Sequence, residues 1–149
     1  MPKRPLVLTI LDDKTWSNFR PDNLPPPPAG QALACVCPRG TGPTGWTQLT
    51  TNKQTHLRRR LLLLGESLES GQVWDIRQAL AALRTLPGFA KTPVTLRAQN
   101  IMAANALYAA FFTADPPQLD LQSLPASHRT GPTYLNILRH FDLPQLLPH

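Results

Sequence analysis

Ser127 and His128 stand side by side in this chain, a hydroxyl and an imidazole of the types that carry acyl transfer. Neighbours in sequence rarely face each other for proton transfer, so the pair alone makes no relay. His128, in the loop 125–129, is the leading catalytic candidate, weighed against the commoner histidine that locks its own loop. His56, His140 and His149 have no metal-ligand spacing with one another or with the cysteines. No metal site and no cofactor is expected. Ser67 and Ser70 lack the sharp turn that exposes a nucleophile. Asp75 and Arg77 read as a helix cap and a surface or loop-pairing residue. Trp46 and Trp74 suit a ligand cleft, but packing is their commoner use.

Two further stretches invite an anion. The segment 38–46 is Gly-rich and follows a strand-like run, so its amides could approach a phosphate. No Gly-Lys-Ser/Thr follows and Pro43 interrupts the turn, so neither Walker nor dinucleotide spacing is met. A structural or site-rim loop is the better reading. Arg58, Arg59 and Arg60 concentrate charge in a chain of formal net charge +6. The remaining cations are scattered without interleaved aromatics, so a solvated face is expected and nucleic acid is not.

The 149 residues, 42% of them apolar, suit one α/β domain over 1–149 with a real core. No run reaches the about 18 apolar residues of a membrane span, and no secretory leader is evident; no membrane partner is expected. Cys35 and Cys37 would share one strand face, where a bridge between them is strained. Buried reduced thiols and a cytoplasmic setting are expected.

In chain order, residues 5–11 form an apolar run fit for a strand buried on both faces. Residues 12–19 suit a short helix with an acidic start. The Pro-rich connection 21–30 suits an extended spacer. Residues 31–37 make a second strand. Leu57, Leu61, Leu64 and Leu68 recur at helical spacing, with Gly65 and Gly71 segmenting the run. A second helix over 73–84 carries the stripe Val73, Ile76, Leu80 and Leu83, with Ala79 beside it. Val94, Thr95 and Leu96 make a strand that turns at Ala98, Gln99 and Asn100 into an Ala-rich helix over 102–110. Residues 118–121 suit a further strand and 134–140 a last short helix. Strands alternating with helices predict a mostly parallel sheet flanked by helices on both faces, a three-layer sandwich.

The strand–corner–helix stretch resembles the place where α/β-hydrolases mount their nucleophile. In particular the chain resembles the acetylxylan esterase/cephalosporin-C deacetylase branch. Arg39-Gly40-Thr41-Gly42 is similar to that branch's Arg-Gly-Gln-Gly loop beside the active site. Gly65 followed by residues 73–80 is similar to its helix ahead of the nucleophile strand, and residues 138–144 to a later segment of esterase-like relatives. The resemblance covers about residues 33–147, by order and spacing rather than by one motif. It implies that Asn100 occupies the nucleophile position, and that Arg39, Gly40, Gln99 and Ile101 line the binding site.

The departures from that pattern bear on function. Gly-x-Ser-x-Gly is replaced by Ala98-Gln99-Asn100-Ile101-Met102. An amide nitrogen with a delocalised lone pair cannot replace a serine oxygen. The chain ends at His149, where the family continues through the strands that carry the triad acid and histidine. The expectation is a truncated, non-catalytic hydrolase-like domain that binds a small ester or carbohydrate; if active, it is a carboxylic-ester hydrolase. The alternative is an interaction module whose open sheet is completed by a second copy or a partner chain.

Overall fold

The computed structural model describes residues 5–19 and 29–146. The Pro-rich connection lies outside them save for Ala29 and Gly30, as does His149. Four strands, β1 (Leu6–Ile10), β2 (Ala32–Val36), β3 (Val94–Gln99) and β4 (Gln118–Gln122), form one sheet in the order β2-β1-β3-β4. All three pairings are parallel. Among the described residues the α-helices are α1 (Asp13–Ser17), α2 (Thr51–Leu63), α3 (Leu68–Thr85) and α4 (Ile101–Phe111). The chain winds outward from β1 to β2, then returns past β1 to β3 and β4. The winding therefore reverses between β1 and β3, and sheets of this kind hold ligands at the strand carboxyl ends beside such a switch.

Strand composition explains the layers. Leu6, Leu8 and Ile10 of β1 meet Val94, Leu96 and Ala98 of β3 in one buried cluster. Residues 102–110 of α4 are buried in succession, and Ala103, Ala104, Ala106 and Ala109 have no exposed surface. Small side chains let this helix lie close on the sheet. The expected stripe of α3 is borne out: Val73, Ile76 and Leu80 enter the same cluster, with Ala79 and Leu83 at its margin. Ser67 caps α3 through a reciprocal capping box with Ser70.

The second face differs from the expected sandwich. Along β3, buried residues alternate strictly with half-buried Thr95, Arg97 and Gln99. The paired positions on β4 are Gln118, Asp120 and Gln122. Such alternation belongs to a sheet with one open face, whereas a strand covered on both sides is apolar throughout. Neither α1 nor α2 has a buried residue, so neither supplies a second packed layer. The described residues thus make an α/β sheet whose large buried helices α3 and α4 share one core. On the other face Val7 of β1 is 3% exposed. β1 is therefore buried on both faces, as its apolar run predicts, and the charged and amide side chains of the sheet are confined to β3 and β4.

Local departures have local causes. The Leu57–Leu68 run is divided into α2 and α3 by Gly65 at φ 80°. Inside α3, Gly71 is needed because an added Cβ would lie 2.8 Å from Arg39 Cδ. The expected helix over 134–140 shrinks to one 3-10 turn, Ile137–Arg139, after Asn136 takes a left-handed conformation. Cys35 is exposed and Cys37 half-buried, both as free thiols, because Cys35 falls on the open face of an edge strand. No helix among the described residues is long and apolar enough to cross a membrane.

The packing of α4 makes a direct prediction. Ala106→Leu inserts bulk where nothing can yield and should cost about 1–3 kcal/mol or more, read as a lower urea midpoint at unchanged slope. A midpoint equal to the parent's would mean that α4 is not pressed against the sheet.

Candidate functional site at the β3–α4 bend

The turn between β3 and α4 is made by one residue. Asn100 has φ 56° and ψ −132°, so extended chain becomes helix without a loop. A non-glycine residue at such a positive φ costs about 1–3 kcal/mol and persists only where its surroundings hold it. Two backbone hydrogen bonds do so: Asn100 N–H donates to Gln122 O at 3.0 Å, and Ala103 N–H to Asn100 O at 3.0 Å. The corner falls later than the sequence pattern suggested, since Ala98 and Gln99 still belong to the strand.

Around the bend stand groups from α1 and its cap, which follow β1. Asp12 caps α1, its Oδ1 accepting from Thr15 N at 2.6 Å and Thr15 Oγ1 at 2.5 Å. Gln99 Nε2 donates to Thr15 Oγ1 at 2.6 Å. Asn100 Nδ2 lies 3.5 Å from Asp12 Oδ2, a long contact. Asn100 gives α4 no side-chain cap, so beyond the Ala103 bond to its carbonyl the first-turn amides have no acceptor from it, and they carry the positive end of the helix dipole. Ile101 is 41% exposed at that mouth. The bend therefore offers donors and an aligned dipole, but no hydroxyl or thiol at its apex.

A cleft of about 270 Å³ opens beside the bend, among the carboxyl ends of β1 and β3 and residues of β4. Thr9, Thr15, Arg97, Gln99, Asp120 and Gln122 give it polar groups, and Ile10, Leu33 and Ala98 complete the lining. Arg97 Nε pairs with Asp120 Oδ2 at 2.7 Å. That pair closes the charge balance of the cleft, which then favours neither a cation nor an anion. Sequence reasoning missed Asp12, Thr15, Arg97 and Asp120. The signal was the polar alternation of β3 and β4, which in parallel register sets Arg97 opposite Asp120.

The other expected site residues are committed elsewhere. Arg39 donates to Asp75 through Nε at 2.9 Å, a terminal nitrogen at 2.7 Å and its backbone N–H at 2.8 Å. Burial pushes the Asp75 carboxyl up, but the hydrogen bonds and charge of Arg39 prevail and hold it below the usual range. Asp75 is thus the anchor of the Arg39 loop, not a helix cap. Gly40, at φ 73°, packs against Leu68. Arg77 stacks on Trp74, its guanidinium 5.8 Å from the ring centre.

His128 sits in a different network. Its Nδ1 faces the Pro132 carbonyl at 3.1 Å, which requires the proton there, and its Nε2 meets the Tyr108 hydroxyl at 2.6 Å. Ser127 Oγ donates to Asp142 Oδ2 at 2.5 Å, and the His128 backbone N–H to Asp142 Oδ1 at 2.7 Å. Donation by Ser127, then by that amide, holds the Asp142 carboxyl below the usual range. Serine, histidine and aspartate are therefore neighbours, but the ring nitrogens of the imidazole bond Tyr108 and Pro132 and neither of the others. Burial raises the Tyr108 phenol to about 12 and the Tyr134 phenol further, so both stay neutral donors. The structure makes no hydrogen bond between His128 and Asn100. Among the described residues no group of three or more His, Cys, Asp or Glu side chains could hold a metal ion.

No protein-family model matches the chain, and neither a curated protein nor a solved structure matches it.

The strain at the bend is measurable. Asn100→Gly should be neutral or stabilising, and Asn100→Val should cost about 1–3 kcal/mol, since a β-branched residue tolerates positive φ worst. Chemical denaturation of both variants checks this. Equal stability of the two would show that residue 100 does not hold a positive φ.

Proposed function

We propose that the chain is an α/β-hydrolase-like domain, related to the esterase branch, that binds rather than cleaves. The observation that carries this reading is the one-residue bend at Asn100, φ 56° and ψ −132°, between a central parallel strand and a buried Ala-rich helix. Hydrolases of this class use a sharp strand-to-helix turn to push a serine out of the sheet. Here the turn remains and the attacking oxygen is replaced by an amide. The remaining machinery points the same way: His128 has both ring nitrogens engaged, and Asp142 accepts from Ser127 and backbone amides.

The adjoining cleft supports a ligand role. Hydroxyls and amides of Thr9, Thr15, Gln99 and Gln122 can both donate and accept, and the Arg97–Asp120 pair leaves no net charge. A small neutral ester or carbohydrate matches that lining. The open face and the β2 and β4 edges favour a second reading, in which a partner chain or second copy completes the sheet.

The test is turnover of p-nitrophenyl acetate by the parent chain and by Asn100→Ser. Both should stay at the uncatalysed rate, because no imidazole is placed to take a serine proton. Saturable turnover by the parent would refute the non-catalytic reading. A large gain from Asn100→Ser alone would reveal an acid–base partner at the bend.

A further inference from the structure

We infer that the C-terminal tip of α2 is a docking site for an anionic lipid surface. The helix has no buried residue along its length, and it ends in Leu62, Leu63 and Leu64, which are 39%, 86% and 77% exposed. Successive helical side chains turn by about 100°, so these three leucines fan round the tip rather than line one side. A groove on a protein partner would cover one side only. A fluid apolar medium covers all of them.

The cations are placed to match. Arg58, Arg59 and Arg60 precede the leucines by four residues, about 6 Å back along the axis. They too fan round the helix, forming a collar behind an apolar point. That spacing sets guanidinium groups at phosphate depth when the leucines reach the acyl boundary, which lies about 5–10 Å into the interface. Arg58 is partly occupied, pairing with Glu69 at 2.7 Å and lying 5.8 Å from the Trp46 ring centre. Arg59 and Arg60 have no acidic partner among the described residues. Lys53 adds a further cation on the Arg60 side, at the rim of a shallow groove floored by Leu49 and Leu57. Glu66, beyond the turn, forms no ion pair with Arg59 or Arg60.

The tip is also prepared at its backbone. Leu64 N–H donates to Arg60 O and Leu61 O, Gly65 N–H to Leu62 O, and Glu66 N–H to Leu61 O. The carbonyls of Arg60, Leu61 and Leu62 are thereby satisfied internally, which lowers the cost of bringing this turn into the interface. A nucleic acid would use the arginines and leave the leucines idle. This inference is independent of the hydrolase-like reading, and either can fail without the other.

The test is flotation of the whole chain with vesicles of phosphatidylcholine containing about 30% phosphatidylserine, against phosphatidylcholine alone. The chain should float with the anionic vesicles at about 0.1 M salt and be released at about 1 M. Arg59→Gln with Arg60→Gln should weaken partitioning roughly 25-fold, about fivefold per cation. Leu63→Ser with Leu64→Ser should weaken it at least about tenfold. All four positions lie on or directly after a helix with no buried residue, and circular dichroism checks that the variants fold. No flotation of the parent, or serine variants that float as well as it does, would overturn the inference. So would binding to a DNA duplex that the arginine changes abolish and the leucine changes leave intact.

Discussion

Everything downstream of β3 depends on one residue reversing the backbone at a cost. Asn100 takes the chain from extended to helical with no loop, and the packing of α4 offsets the strain. Residues 102–110 enter the core as soon as the turn is complete, four alanines among them without exposed surface. A longer connection would let α4 drift from the sheet, and larger side chains would lift it away. The bend and the alanines are one device: an abrupt turn has value only if the helix can lie close behind it. In an enzyme that device exposes a nucleophile. In this chain it presents an amide and a helix start without a side-chain cap beside a cleft whose charges cancel.

A buried polar chain fixes the surroundings of α4. Tyr134 donates to Asn105 Oδ1 at 2.5 Å, Asn105 donates to Gln72 Oε1 at 2.9 Å, and Gln72 donates to the Arg39 carbonyl at 2.9 Å. Four segments far apart in sequence are thus tied through a residue with no exposed surface. Each link satisfies a group that would be costly to bury alone. Tyr108, one turn along α4, stacks edge-on against Tyr134 with ring centres 4.7 Å apart and meets His128 at its hydroxyl. The C-terminal loop is therefore bolted onto α4 by polar contacts. That role accounts for His128 without chemistry.

Much of this was legible in the residues, for physical reasons. The apolar runs of β1 and β3, the α3 stripe and the alanines of α4 all express burial, and burial leaves a period. The bend was legible because strand and helix patterns abut with no room for a loop. The burial of β1 on both faces was legible in its unbroken apolar run. The polar face of β3 and β4 was missed, although Arg97 and Asp120 broke the apolar pattern there. The Arg39–Asp75 pair spans 36 positions, and no local rule finds a contact set by tertiary packing. Residues 134–140 read as a helix because their apolar spacing fits one, but Asn136 and the tie of Tyr134 to Asn105 decide otherwise.

The central claim is that the apex of the bend carries no activated nucleophile, here or on a neighbouring loop. Intact mass spectrometry after exposure to a fluorophosphonate tests this without assuming a substrate, because such reagents modify only serines activated by a base. An unchanged mass is the predicted result. Stoichiometric addition of one phosphonyl group, mapped to any serine of the chain, would contradict it.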